Sequence, residues 1–241
     1  MKRTFLFVLV FAGLLAGAKF LAFKQLFVVS SAFAPTLQTG DSVLMSRLSY
    51  GASRHSFASL ARWFPQRLWA ALPQRGDVVV VKLPRDGQTD FISRVIGLPG
   101  ERVQMQAGRL YIDDVLVARE SGPPFVMADR DGKAAGVAAY EEILPGGVRH
   151  TVLEAEGDAG RFDTTAVFDV PPGTYFLMGD NRDNSVDSRL PEAYGLGFVP
   201  FENFVGRVNC VIYSFGRDPS EAGSAAAPAS LRWDRVLRFV L

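Results

Sequence analysis

The chain has 241 residues, and its 26 Lys and Arg nearly balance its 25 Asp and Glu, leaving a formal net charge of +1. That balance excludes the clustered basic surface that nucleic-acid binding requires, and the length allows one large domain or two small ones with an ample core. The single cysteine, Cys210, cannot close an internal disulfide; His55 and His150 are too few for a His-based metal site or triad; no cofactor is implied, and no cluster shows metal-ligand spacing.

Met1-Lys2-Arg3 precedes fifteen uncharged residues, Thr4 to Ala18, and then Lys19 and Lys24. Two readings compete. One is a signal peptide cut after Ala18, in the small-x-small run Ala16-Gly17-Ala18. The other is a membrane anchor from Thr4 to about Val29, with both lysines snorkelling. Leu26 to Ser31 predicts a strand, Pro35 holds Ala34 extended, and Thr36 to Asp41 predicts a turn before a strand from Ser42 to Met45. Residues 52–74, with Phe57, Trp63, Phe64, Leu68, Trp69 and Leu72, form an aromatic excursion, read as a lipid-headgroup contact in preference to a small core.

Val78 to Lys82 is a continuous β-branched run and predicts a buried strand. Phe91 to Ile96 is a further strand, ended by the turn Gly97 to Gly100, and Val103 to Val117 predicts hairpins turning at Ala107-Gly108 and Asp113-Asp114. Val167 to Val170 and Tyr175 to Met178 return the chain to the main sheet. After Phe215 a Pro, Ser, Ala and Gly run reads as a linker, and Leu231 to Leu241 as a basic amphipathic tail for a membrane surface or the outside of the domain. Short strands with Gly and Pro turns and little helix predict an all-β, barrel-like domain.

Between the last strand and Pro191 lies Gly179 to Arg189, with three Asp, two Asn, two Ser, two Arg and Val186 as its only apolar side chain. Polar runs at strand ends are usually solvated loops. Here the side chains are short and the arginines alternate with Asp, so each guanidinium has a carboxylate within reach, as in a rigid polar knot that supports a neighbouring site.

This run resembles the last signature box of the type I signal peptidases, membrane-bound serine endopeptidases that remove signal peptides from exported proteins. Ser30 to Leu37 with Gly40-Asp41, Arg75 to Val80, Ser93 to Glu101, and Tyr194 to Pro200 with Gly206-Arg207 match in the same order, spanning about residues 25 to 216. The resemblance implies an all-β signal-peptidase-like barrel or sandwich with an inserted β subdomain, preceded by one N-terminal transmembrane helix. It divides the chain into an anchor or signal peptide (1–25), a core (26–117 and 167–216), a variable insertion (118–166), and a linker with tail (217–241). The implied partners are signal peptides of exported preproteins and membrane lipid. The implied location is the bacterial inner membrane, single-pass, with the main domain on the outer, periplasmic face.

The family's serine stands three residues before the proline of the first box, where this chain has Ala32. The family's lysine base directly precedes the arginine of the Arg-Val-Ile-Gly-Leu-Pro-Gly run, where this chain has Ser93. Both members of the dyad are substituted. Ser31 turns to the opposite face in a strand, whereas Ser30 shares the face of Ala32, where the family uses a hydroxyl to help bind the oxyanion. Replacement bases are scarce, because only Lys2, Lys19, Lys24, Lys82 and Lys133 are lysines and arginine does not deprotonate. The supporting positions persist: Ser185 beside the lysine position, Asp187 with Arg189 and Asp180 with Arg94 as ion pairs, and Arg182 with Asp183 completing the knot. The expectation is a catalytically impaired member of the family. Its rivals are an active protease pairing Ser30 or Ser93 with Lys82, and a non-enzymatic assembly factor of an export system.

Overall fold

In the computed structural model, which describes residues 22–56, 66–128, 134–216 and 229–240, the chain is all-β. The first strands are β1 (Phe23–Phe27), β2 (Asp41–Ser46), β3 (Val78–Lys82) and β4 (Asp90–Gly97). The hairpins follow as β5 (Arg102–Gln106), β6 (Arg109–Ile112) and β7 (Val115–Leu116). Next come β8 (Ala118–Ser121), β9 (Phe125–Ala128), β10 (Ala134–Ile143), β11 (Arg149–Glu154), β12 (Phe168–Asp169), β13 (Thr174–Met178) and β14 (Val199–Pro200). The long β15 (Phe204–Gly216) and the short β16 (Ser230–Leu231) and β17 (Arg238–Phe239) complete the series.

A main sheet runs in the order β1-β2-β15-β3-β4-β13-β14, with β16 and β17 also paired to β15. The β-branched run of β3 lies at its centre, and both faces of that strand are covered. Val78 and Val80 join a core with Phe33, Leu37 and Val208, while Val79 and Val81 join one with Tyr175, Leu177 and Phe204. That is the physical reason the run does not alternate with polar residues. A second sheet, β11-β10-β8 with β9 on β10, and a third, β12-β5-β6-β7, complete the molecule. The hairpins turn where the sequence predicts, and Ala107, Gly108, Asp113 and Asp114 take positive φ values of 46°, 70°, 50° and 62°, as tight hairpin turns demand.

Two expectations change. The strand expected from Leu26 to Ser31 both starts and ends earlier, because Phe23 to Phe27 pairs antiparallel with β2, from Phe23 opposite Ser46 to Phe27 opposite Ser42. An anchor reaching Val29, or a boundary at residue 25, is therefore too long. The hydrogen-bonding demand of the β2 edge takes the last residues into the sheet. The remainder of the expected anchor, from residue 4 to 21, lies outside the described residues, and no described helix is long and apolar enough to cross a membrane. The C-terminal tail lies against the outside of the domain, the second of its two readings. Arg235 is buried and paired with Asp41, and Val240 joins the Val208 core. Trp233, Leu237 and Phe239 stay outward. Of the aromatic excursion, residues 57–65 lie outside the described residues, while Trp69 and Leu72 are exposed.

Candidate active-site cleft

A cleft of about 420 Å³ opens where β1 runs into the first box, lined there by Ser30 and Ala32, by Asp90 and Ile92 of β4, and by Asn184 and Ser185 of the polar run. Ser31 and Ala34 line a separate cavity of about 440 Å³ with Met127 and Phe215. Ser30 and Ala32 thus share one cavity and Ser31 takes the other, although the strand ends at Phe27 and the chain from Ser31 is a bend and turn, so this facing comes from the turn and not from strand alternation. Ser31 is held there, its hydroxyl accepting from Asn184 Nδ2 at 2.9 Å and its carbonyl from Asn181 Nδ2 at 3.2 Å.

The Ala32 backbone is fixed at both ends. Its N–H donates to Ser30 Oγ at 3.1 Å, and its carbonyl accepts from the Asn181 N–H at 3.1 Å. Ser93, on the central strand β4 opposite Val79, is 1% exposed and donates to the Met178 carbonyl at 3.0 Å. The next residue, Gly179, has no room for a side chain: a Cβ there would collide with Ser185 Oγ and stand 2.8 Å from the Ala32 carbonyl. Ala32, Ser93 and Ser185 therefore gather at the Met178-Gly179 corner, brought together from three distant stretches of chain. Position 32 thus presents a methyl group and position 93 a hydroxyl.

Behind this corner the ion pairs are dense. Arg94 Nε and Nη2 donate to Asp180 at 2.9 and 2.8 Å, and its Nη1 donates to the Gly76 carbonyl at 2.8 Å. Thr36 Oγ1 adds a bond to Asp180 at 2.5 Å. Burial alone would raise the Asp180 carboxyl, but the Arg94 guanidinium outweighs it and holds the group below its usual range. Arg189 grips Asp187 through Nε and Nη2 at 3.0 and 2.9 Å. The pairing of Arg182 with Asp183 does not form. Arg182 instead makes a fork of 2.9 and 2.5 Å onto Glu142 of β10, and Asp183 accepts the Glu156 N–H at 2.7 Å. Glu142 is fully buried opposite the fork, so it satisfies the guanidinium better than a neighbour in a tight 3-10 turn could. Between these pairs sits His150, with Nε2 3.6 Å from Glu142 and 4.0 Å from Asp180. Burial, helped by the Arg94 charge, pushes its imidazole down to about 4.

The two described lysines near the cleft are both taken up by Asp90. Lys82 Nζ lies 2.7 Å from its Oδ1, and Lys24 Nζ 3.1 Å from its Oδ2. Lys82 faces Asp90 in the register in which Val79 faces Ser93, which places it three residues, about 10 Å, along the strand from Ser93. Lys2, Lys19 and Lys133 lie outside the described residues. Thr36, Glu142 and His150 were not legible as parts of this site, since nothing in their local sequence signals a partner so far along the chain. The same is true of Glu154, Asp163 and Asp183, whose carboxylates converge although they are scattered in sequence without ligand spacing.

A family model described as "Signal peptidase, peptidase S26" matches residues 1–213. The signal peptidase I of Rickettsia typhi is 34% identical over 194 residues, which is 78% of this chain and 70% of that protein. The signal peptidase I of Rickettsia bellii (strain OSU 85-389) is 32% identical over 220 residues, covering 88% and 72%. A crystal structure of a signal peptidase I from Enterococcus faecalis V583 aligns at 25% identity and a TM-score of 0.32, covering 57% of this chain and 97% of that one.

Proposed function

The chain belongs to the signal peptidase family, peptidase S26, and from that premise we propose that it binds signal peptides of exported preproteins in the Ala32 cleft without cutting them by the family's Ser/Lys route. One observation carries this reading. A methyl group and a hydroxyl bonded to the Met178 carbonyl occupy the two reacting positions, while the cleft and its buried ion pairs are intact.

In this reading Ser30 keeps the anion-binding corner, and Ser185, Asp180, Arg94, Asp187, Arg189 and Arg182 hold its shape. The cleft takes an extended peptide with small side chains against Ala32. The N-terminal stretch anchors the chain in the inner membrane with the cleft on the outer face, and the exposed Trp69, Leu72 and Trp233 touch lipid there. Residues 118–166 act as a subdomain inserted into the core.

The deciding experiment is cleavage of a preprotein by the purified protein, run beside the double variant Ala32→Ser/Ser93→Lys, with anisotropy of a labelled signal peptide as the binding readout. Binding by both proteins and cutting by the double variant alone is the expected result. Cutting by the unmodified protein that Ser30→Ala abolishes would replace this reading with a rearranged protease. Absence of both binding and cutting would replace it with an assembly role.

A further inference from the structure

Asp183 of the polar run and Asp163 approach one another from two loops. Each uses one carboxylate oxygen locally: Asp163 Oδ2 accepts the Gly160 N–H at 2.5 Å, and Asp183 Oδ2 accepts the Glu156 N–H at 2.7 Å. Each Oδ1 is buried without a hydrogen-bond partner. Glu154, the last residue of β11, is aimed into this pair. It is 1% exposed, and neither of its carboxylate oxygens has a hydrogen-bond partner. Its ion-pair neighbour Arg119 stands 3.7 Å from Oε1 and is drawn off by Asp158 at 2.8 Å. One oxygen from each of the three carboxylates lies within 4.8 Å of the others. The chain comes so close at Gly160 that a Cβ there would press on Asp183 Oδ1 and stand 3.0 Å from Asp163 Oδ2.

We propose that Glu154, Asp163 and Asp183 form a binding site for a hard divalent cation, calcium in the first place. Buried carboxylate oxygens are costly unless hydrogen-bonded, and four of them lack a hydrogen bond here: both of Glu154, whose Oε1 has only the more distant Arg119, and one each of Asp163 and Asp183. A proton is the other way to relieve them, and burial does push the Glu154 carboxyl up to about 8. A single proton, however, donates one hydrogen bond and leaves the third carboxylate unsatisfied, whereas one cation draws an oxygen from each. An all-oxygen, all-carboxylate donor set suits calcium, which completes its shell with water and backbone carbonyls, and offers nothing to thiophilic metals. The site would tie the end of β11 and the loop at Asp163 to the 3-10 turn Arg182–Asn184, whose last residue lines the cleft and bonds Ser31.

The test is calorimetric titration of the chelator-treated full chain in detergent with CaCl2 at constant ionic strength and neutral pH, with thermal unfolding alongside. One equivalent of saturable binding and a saturable rise in Tm are expected, with affinity weakened more than about tenfold in both Asp183→Asn and Glu154→Gln. Should Glu154→Gln fail to fold, Asp183→Asn decides alone, because its amide oxygen can still accept the Glu156 N–H. The proposal falls if the unmodified protein shows no saturable heat and no rise in Tm with millimolar calcium, as proton sharing among the carboxyls would give. It also falls if the folded variants bind as tightly as the unmodified chain.

Discussion

Two regions of the molecule a few residues apart are built to opposite standards. The ion pairs behind the cleft are dense: Arg94 with Asp180, Arg189 with Asp187 and Arg182 with Glu142 are each buried and doubly bonded, with only Arg182 Nε and Arg189 Nη1 of these three guanidinium groups buried and unbonded. The corner they support is chemically plain, with the Ala32 methyl in the cleft and the Ser93 hydroxyl spent on a backbone carbonyl. Buried charges are tolerated only when every partner stays in place, so this shell resists change one residue at a time. The two reacting positions carry no such burden.

The sharpest way to test the contrast is to refill the corner. Ala32→Ser/Ser93→Lys should raise cleavage of a preprotein by at least about a thousandfold over the unmodified chain in single-turnover assays. A double variant that folds and binds peptide but stays silent would show that the shell no longer aims a lysine. Next in size is a break in the shell itself. Glu142→Ala leaves Arg182 buried without its carboxylate and should lower unfolding free energy by about 3–5 kcal/mol in urea titrations. A loss below about 1 kcal/mol would mean that the pairs are not the structural constraint described here.

A smaller effect is expected from pH. His150 titrates at about 4 in the fold against 6.5 in an unfolded chain, with Glu142, Asp180, Arg94 and Arg182 as its charged neighbours. Because burial lowers the folded value, the unfolded state takes up the proton first as pH falls. Stability is thus fully present above about pH 6.5 and drains away toward pH 4, by about 3 kcal/mol in all. Glu142 and Asp180, whose values are depressed by Arg182 and Arg94 against the effect of burial, add losses only at the acid end. Stability profiles of the unmodified chain and His150→Gln should therefore diverge between pH 5 and 6.5, with the variant flatter. Overlapping profiles would contradict a buried neutral imidazole. Ser93→Ala, which deletes one buried hydroxyl-to-carbonyl bond, should cost only about 1 kcal/mol. Lys82→Met should change stability by less than about 1 kcal/mol, since its pair with Asp90 is partly solvated. If the unmodified protein shows any cleavage and Lys82→Met removes it, the lysine is a base after all.

Much of this was legible in the chain itself. The valine run of β3 and the hairpin turns at 107–108 and 113–114 follow from side-chain period and turn chemistry, which act over a few residues. The residues Ala32 and Ser93, at the positions the family resemblance marks beside Pro35 and Arg94, are equally read from local register. The composition of Gly179 to Arg189 announces a polar knot, and Asp187 finds Arg189 because the two are neighbours on the chain. Only the tertiary structure decided that Arg182 would choose Glu142, that Arg235 would return across 194 positions to bury itself on Asp41, and that Glu154 would point between Asp163 and Asp183. A charge can pair with any opposite charge the fold brings near. Its choice is set by which strands lie side by side, and spacing along the chain carries no record of that.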